Sequence, residues 1–236
     1  MAGGPAPLDL LARGAVVGVR GRMPWSSNAT FLAEIALDGE TALAVYKPER
    51  GERPLWDFPP GLYKREAAAY HLSDALGWGL VPPTVCRDDG PYGEGSLQLF
   101  VPADFEQNYF TIRECPEHRA QLERICLFDI IANNADRKGG HCLLGEDGAI
   151  YAIDNGLTFH TDWKLRTVIW EFGGAPIPRP LLDDVRRVLR RSVPEPLAEL
   201  LDAEERAALL DRARAVIKTG RFPQDTSGRQ YPWPLV

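Results

Sequence analysis

The segment CLLGEDGAIYAID, residues 142–154, constrains this chain more than any other. Asp147-Gly148 sits between two short apolar runs, and Asp-Gly in that setting is a strong hairpin signal. A hairpin returns to where it began, so the residues before Cys142 are brought beside those after Ala152. Those residues form two turns, Asn133-Asn134-Ala135-Asp136-Arg137 and Asp154-Asn155-Gly156, each carrying a carboxylate. Asp136 and Asp154 are therefore expected side by side at the hairpin mouth. On its own, each turn has a plainer reading: Asn-Gly tolerates positive φ, and Asp136-Arg137 could be a helix-end ion pair.

The surrounding pattern changes character once. Residues 15–20 (AVVGVR), 30–37 (TFLAEIAL) and 41–47 (TALAVYK) read as strands, the last two joined by Asp38-Gly39. A polar loop, GRMPWSSNA, separates the first two. After the Pro/Gly-rich PERGERPLWDFPPG, residues Tyr63, Ala67, Tyr70, Leu72 and Leu76 fall at helical spacing, with Gly77 as the stop. SLQLFVPA reads as a strand ending at Pro102. Helices are predicted over HRAQLERICLFDIIANN, LLDDVRRVLRRSV and AEERAALLDRARAVIKTG, the last capped by Asp202 with Glu205 and closed by Gly220. Residues 157–180 read as irregular, and the tail from Phe222 as extended and packed by its aromatics. The sum is an α+β protein of two lobes, 1–102 β-rich with one helix and 103–236 mostly helical, jointed near Leu99–Ala103.

A chain of 236 residues can bury a core of that size. Its net charge of −6 disfavours nucleic acid or an anionic membrane as the main partner. No run approaches the roughly 18–20 apolar residues of a membrane span. The start, MAGGPAPLDLLARG, lacks a basic region followed by an apolar one, so a cytoplasmic location with no integral membrane association is expected. Cys86, Cys115, Cys126 and Cys142 form no CxxC pair and no zinc spacing.

Phosphoryl transfer from ATP needs a loop over the phosphates, a lysine on a strand, a carboxylate orienting it, an Asp at the acceptor and an Asp on metal. The chain offers these in order. Ser26, Ser27 and Asn28 lie in the loop between strands, Lys47 ends the third strand and Glu66 starts the following helix. Asp136 and Asp154 flank the hairpin. Singly, each is more often structural; the ordered set is what points to a kinase.

The runs I-I-A-N-N-A-D-R-K-G-G-H and A-I-D-N-G-L-T-F resemble the phosphatidylinositol 3-/4-kinase-like superfamily, most closely its type II 4-kinase branch. V-Y-K-P around Lys47 and R-E-A-A-A-Y around Glu66 are similar to the same group, and the resemblance covers roughly residues 15–172. It implies a protein-kinase-like fold with Lys47 on the α/β-phosphates, paired with Glu66. Asp136 would be the catalytic-loop Asp and Asp154 the metal Asp. Leu99, Phe100 and Val101 would form the hinge facing adenine, with Val45 and Ile153 as roof and floor of its pocket. ATP and Mg²⁺ or Mn²⁺ are the implied cofactors.

The departure is His141, at a position where these kinases carry a metal-binding Asn. Mg²⁺ prefers oxygen, whereas imidazole suits softer ions such as Mn²⁺. Three readings stay open: a kinase using Mn²⁺, a kinase using one metal through Asp154, and lost activity. The expected function is an ATP-dependent phosphotransferase acting on an unidentified hydroxyl acceptor (protein, small metabolite or inositol lipid). The alternative is an ATP-binding pseudokinase acting through a protein partner. A transfer of AMP in place of phosphate is a third.

Overall fold

The computed structural model describes residues 5–23 and 28–236. Three strands run in sequence as an antiparallel meander, β1 (Ala15–Arg22), β2 (Phe31–Leu37) and β3 (Glu40–Pro48). The β2–β3 turn is a two-residue hairpin in which Asp38 and Gly39 both have positive φ, 50° and 86°. That is the geometry Asp-Gly favours, and it matches the twist of the flanking strands. Helix α1 (Pro7–Arg13) precedes β1 and was not expected from the sequence; its Leu10 and Leu11 pack on Ile35, Tyr46 and Leu97 beneath the sheet.

Helix α2 (Leu62–Leu76) follows a loop and is bounded by Gly61 and Gly77, both left-handed. Two more strands complete the sheet, β4 (Thr84–Arg87) and β5 (Gly95–Leu99), giving the order β1-β2-β3-β5-β4. Strand β4 escapes a sequence reading because it has four residues and no clear alternation. At Gly95 a Cβ would lie 2.4 Å from the Lys47 carbonyl oxygen, so only glycine lets β5 pair this closely with the end of β3.

The remainder is mostly helical: α3 (Tyr109–Ile112), α4 (Arg119–Ala132), α5 (Arg179–Leu189), α6 (Glu195–Ala198) and α7 (Ala203–Thr219). Between α4 and α5 lies the predicted hairpin, β6 (Cys142–Leu144) with β7 (Ile150–Ala152). The Asp202–Glu205 capping box at the start of α7 forms as expected. Leu72 and Leu76 of α2 belong to the same buried cluster as Leu127, Phe128 and Ile131 of α4 and Leu209 of α7. The helix of the β-rich part thus shares its core with the helices that follow.

The tail corrects one expectation. Phe222 is buried, but Trp233 is 86% exposed and packs no core. Backbone carbonyls hold the tail instead: Gln230 O accepts from Thr167 N at 3.1 Å and Trp170 Nε1 at 2.9 Å, and Leu235 O accepts from Gly139 N at 2.7 Å. No described helix is long and apolar enough to cross a membrane.

Candidate active site

Alternation along β3 decides what faces the cleft. Ala44 and Tyr46 turn into the sheet's buried cluster, so Val45 and Lys47 turn the other way. Lys47 Nζ donates to Glu66 Oε1 and, at 2.8 Å, to Asp154 Oδ1. Glu66, buried on α2, uses its other oxygen to accept the Asn155 N–H at 2.9 Å. One lysine and one carboxylate thereby tie the sheet, α2 and the turn after β7 together. Burial opposes the lysine's charge, but Asp154 and Glu66 outweigh it and hold the ammonium above its usual range. Lys47 in turn holds the Asp154 carboxyl well below the usual carboxylate range.

Asp154 has φ of +56°, uncommon for a residue with a side chain. Its neighbours fix that conformation: Asn155 Nδ2 donates to Ala152 O at 3.0 Å, and Thr158 Oγ1 to Asn155 O at 2.7 Å. Across the hairpin mouth, α4 ends at Asn133, also left-handed, and Asn134 Oδ1 accepts the Asp136 N–H at 2.9 Å. Asp136 is brought to the same cavity as Asp154. Partial burial, with Asp154 nearby, raises its pKa to about 6 against the pull of Lys138 and Arg166.

His141 lies between the two carboxylate turns. Its Nε2 is 3.3 Å from Asp154 Oδ2, and its Nδ1 is 3.0 Å from the Asp136 carbonyl oxygen and 3.3 Å from the Lys138 nitrogen. The Lys138 N–H donates to Nδ1, which leaves the ring proton on Nε2, whereas the contact to the Asp136 carbonyl belongs to the other tautomer. Burial lowers the imidazole pKa to about 4, so the ring is neutral near pH 7 and only one of its nitrogens carries a proton. With the proton on Nε2 the contact to Asp154 is a long hydrogen bond; with the proton on Nδ1, Nε2 turns a lone pair towards the carboxylate. Ligands at about 2.1 Å from a metal and at a right angle are about 3 Å apart, so the N,O pair fits a divalent ion.

Two cavities meet at Thr30, Lys47 and Asp154. The hinge-side cavity, about 200 Å³, is lined by Val45, Leu99, Phe100, Val101 and Ile153 with Leu143. Of the hinge donors, Leu99 N is taken by Pro83 O and Phe100 N by Leu43 O, which leaves Val101 N among the three for a ligand. The other cavity, about 240 Å³, holds Asp136, Glu66 and Asn28. Asn28 does not stand free in its loop: its Oδ1 accepts the Arg53 N–H at 3.0 Å. Ser26 and Ser27 lie outside the described residues.

Three features escaped the sequence reading. Arg137 is wholly buried and joins the site's pieces: Nη2 and Nε donate to Asp129 at 2.9 and 3.1 Å, Nη1 to Ile153 O at 2.5 Å, and Nη2 to Asn155 Oδ1 at 2.6 Å. The available signal was Asp129 itself, a carboxylate inside the apolar run LFDII that needs a partner. Arg65, on α2, donates to Thr158 O at 2.5 Å and to Glu205 on α7. Asp57, in the loop before α2, pairs with Lys164 at 2.9 Å. Neither pair has a local sequence signal.

No protein-family model matches the sequence. The chain is 40% identical over 253 aligned residues to protein Rv2133c of Mycobacterium tuberculosis (strain ATCC 25618 / H37Rv), covering 92% of this chain and 91% of that protein. Among solved structures, hydra Fam20 with sugar superposes with a TM-score of 0.58 at 15% identity, over 90% of this chain and 87% of the other. The Helicobacter pylori proinflammatory kinase CtkA gives a TM-score of 0.50 at 10% identity, over 86% and 92%. The fold is kinase-like, α+β with an antiparallel N-terminal sheet, as the sequence predicted.

Proposed function

This chain belongs to one family with protein Rv2133c, and we propose that it is an ATP-dependent phosphotransferase with a phosphatidylinositol 3-/4-kinase-like site. The observation that carries the reading is the convergence of Lys47, Glu66, Asp136 and Asp154, from four separate segments, at the junction of two cavities. The motifs around residues 130–159 support the finer kinship. Residues 1–102 and 103–236 act as the two lobes of one catalytic domain.

Adenine occupies the hinge-side cavity between Val45 and Ile153, with the Val101 N–H as its backbone donor. The phosphates point at Lys47, which Glu66 keeps aimed into the cleft. Asp154 and His141 would hold a divalent cation, which when bound would neutralise charge on the phosphates. The fit of an imidazole nitrogen favours Mn²⁺ over Mg²⁺. Asp136 takes the proton of the acceptor hydroxyl as its oxygen bonds to the γ-phosphorus; the bond from that phosphorus to the bridging oxygen breaks, and ADP leaves with the electron pair. A base with a pKa of about 6 is mostly ionised at pH 7 yet still a competent proton acceptor. Positioning and electrostatics do the rest.

The test is a thermal melt, alone and with ATP plus Mg²⁺ or Mn²⁺, for the native chain and Asp154→Asn. Nucleotide at about 100 times its Kd stabilises by roughly 2.7 kcal/mol, which moves the midpoint of a domain this size by about 5–10 °C. A metal-dependent shift lost in Asp154→Asn is expected. No shift with either metal overturns the reading. ADP release abolished by Asp136→Ala separates a working enzyme from a pseudokinase that binds ATP through the same residues and acts on a protein partner.

A further inference from the structure

Away from the cleft, the connection between α3 and α4 gathers three different metal-ligating groups. Cys115, Glu117 and His118 each offer one donor atom, and the sulfur, carboxylate and imidazole atoms all lie within 4.8 Å of one another. The local chain explains why. Pro116–His118 is a single 3₁₀ turn with Pro116 at its start, and the His118 N–H donates to Cys115 O at 3.1 Å. Residues three apart eclipse in such a turn, so the thiol and the imidazole come to the same edge. Proline fixes its own φ and stiffens the turn. The Cys115 N–H donates to Ile112 O at 3.1 Å, which ties the turn to the end of α3. Cysteine spacing gives no hint of the set, because only one cysteine takes part.

The chemistry of the donors separates this cluster from an ordinary patch of exposed acids. Thiolate and imidazole suit Zn²⁺, whereas Mg²⁺ and Ca²⁺ take oxygen. Donors on a tetrahedral zinc are about 3.4–3.6 Å apart, so closing on an ion draws these atoms together by no more than about 1.4 Å. The flanking carboxylates Glu114 and Glu123 pair with Arg113 at 3.3 Å and Arg119 at 3.0 Å. Glu117 has no ion pair and the His118 ring no hydrogen bond among the described residues, so uptake of an ion breaks neither. A thiolate and a carboxylate together cancel the charge of a divalent ion, so the positive end of α4, which begins at Arg119, does not oppose the occupied site. Helix α4 has 14 residues, about 21 Å, which sets the cluster well apart from Asn133 and the carboxylates beyond it.

We infer that Cys115, Glu117 and His118 bind one Zn²⁺ ion, with water at the fourth position, as a clip between α3 and α4. On binding, the Cys115 thiol passes its proton to solvent and the sulfur donates an electron pair to the ion; nothing is oxidised or reduced. The inference is independent of the phosphotransferase reading.

The experiment titrates the whole chain, kept reduced and free of nucleotide, with Co²⁺ as a spectroscopic stand-in and then with Zn²⁺. The expected result is a thiolate-to-cobalt charge-transfer band that saturates at one Co²⁺ per chain and is bleached by Zn²⁺, which gives the zinc affinity. Cys115→Ser should abolish the band. His118→Gln and Glu117→Gln should each weaken Zn²⁺ binding at least about tenfold, a loss that even an outer-shell partner can cause. Cys86→Ser and Asp154→Asn should leave the band as it is. Cys115 and His118 are only half-buried and Glu117 is exposed, so the variants should fold, and equal melting midpoints without metal check this. Should Cys115→Ser fail to fold, the two Gln variants carry the test. Absence of the band, its survival in Cys115→Ser, an unchanged zinc affinity in either Gln variant, or its loss in Asp154→Asn, which would place the ion in the cleft, each overturns the inference.

Discussion

Arg137→Met removes the guanidinium that links Asp129, Ile153 and Asn155. Arg137 and Asp129 are both fully buried, so the variant leaves a carboxylate in the interior without its counter-ion. Breaking a buried pair from one side costs about 3–5 kcal/mol, and each kcal/mol moves the midpoint of a domain this size by about 2–4 °C. The expected fall is about 6–20 °C. Burial already pushes the Asp129 carboxyl above its usual range even with Arg137 beside it, and without Arg137 the push is larger. A carboxyl raised in the folded state favours folding when protonated, and that contribution is lost as pH rises through the folded pKa. Arg137→Met should therefore melt closest to the native chain near pH 5 and furthest from it near pH 8. Adding Asp129→Leu should recover most of the stability, since an apolar pair of similar volume is often neutral or better. It should not recover ADP release, because Ile153 O and the Asn155 side chain, on either side of Asp154, still lack their donor. Thermal and urea melts across pH, with ADP release alongside, make the assay. A loss below about 1 kcal/mol, or a pH trend of the opposite sign, would refute the reasoning.

Replacing His141 by Asn restores an oxygen ligand, so the ratio of Mn²⁺- to Mg²⁺-supported ADP release should fall about tenfold or more; an unchanged ratio would show that the imidazole does not touch the metal. The acid limb of the rate profile should fall with an apparent pKa near 6, because Asp136 must be ionised to accept a proton; a limb near 4 would point to a different base. Trp233→Ala should change stability by less than about 0.5 kcal/mol, as expected for an exposed position. Phe222→Ala, in the core, should cost about 3–5 kcal/mol, and equal costs in the two variants would contradict the account of the tail.

What could be read from the sequence follows the range of the interactions. Strands β2 and β3, their Asp38-Gly39 turn, and the β6–β7 hairpin are written in local alternation and turn chemistry, and so were found. The meeting of Asp136 and Asp154 could be anticipated because a hairpin must return, whereas the place of Lys47 beside them was implied only by the resemblance to kinases. Helix α1 and strand β4 were missed because they are short; α1 takes its form from the sheet it covers and β4 from its pairing with β5. The Arg65–Glu205 and Asp57–Lys164 pairs join residues far apart in sequence, where periodicity carries no information. Trp233 misled because an aromatic residue suggests burial, whereas its segment is held through carbonyl oxygens that any residue supplies.

The attachment of α2 has a pharmacological consequence. Arg65 reaches from that helix to Thr158 and Glu205, while Glu66 beside it grips Lys47 and Asn155. An inhibitor that required α2 to swing outward would have to break both Arg65 bonds, at about 1.5–3 kcal/mol each for charged hydrogen bonds. At 1.4 kcal/mol per decade of affinity, that alone weakens such a compound by a factor of about 10²–10⁴. Selective chemistry against this protein should be sought among compounds that accept the assembled cleft, with Val101 N as a point of discrimination.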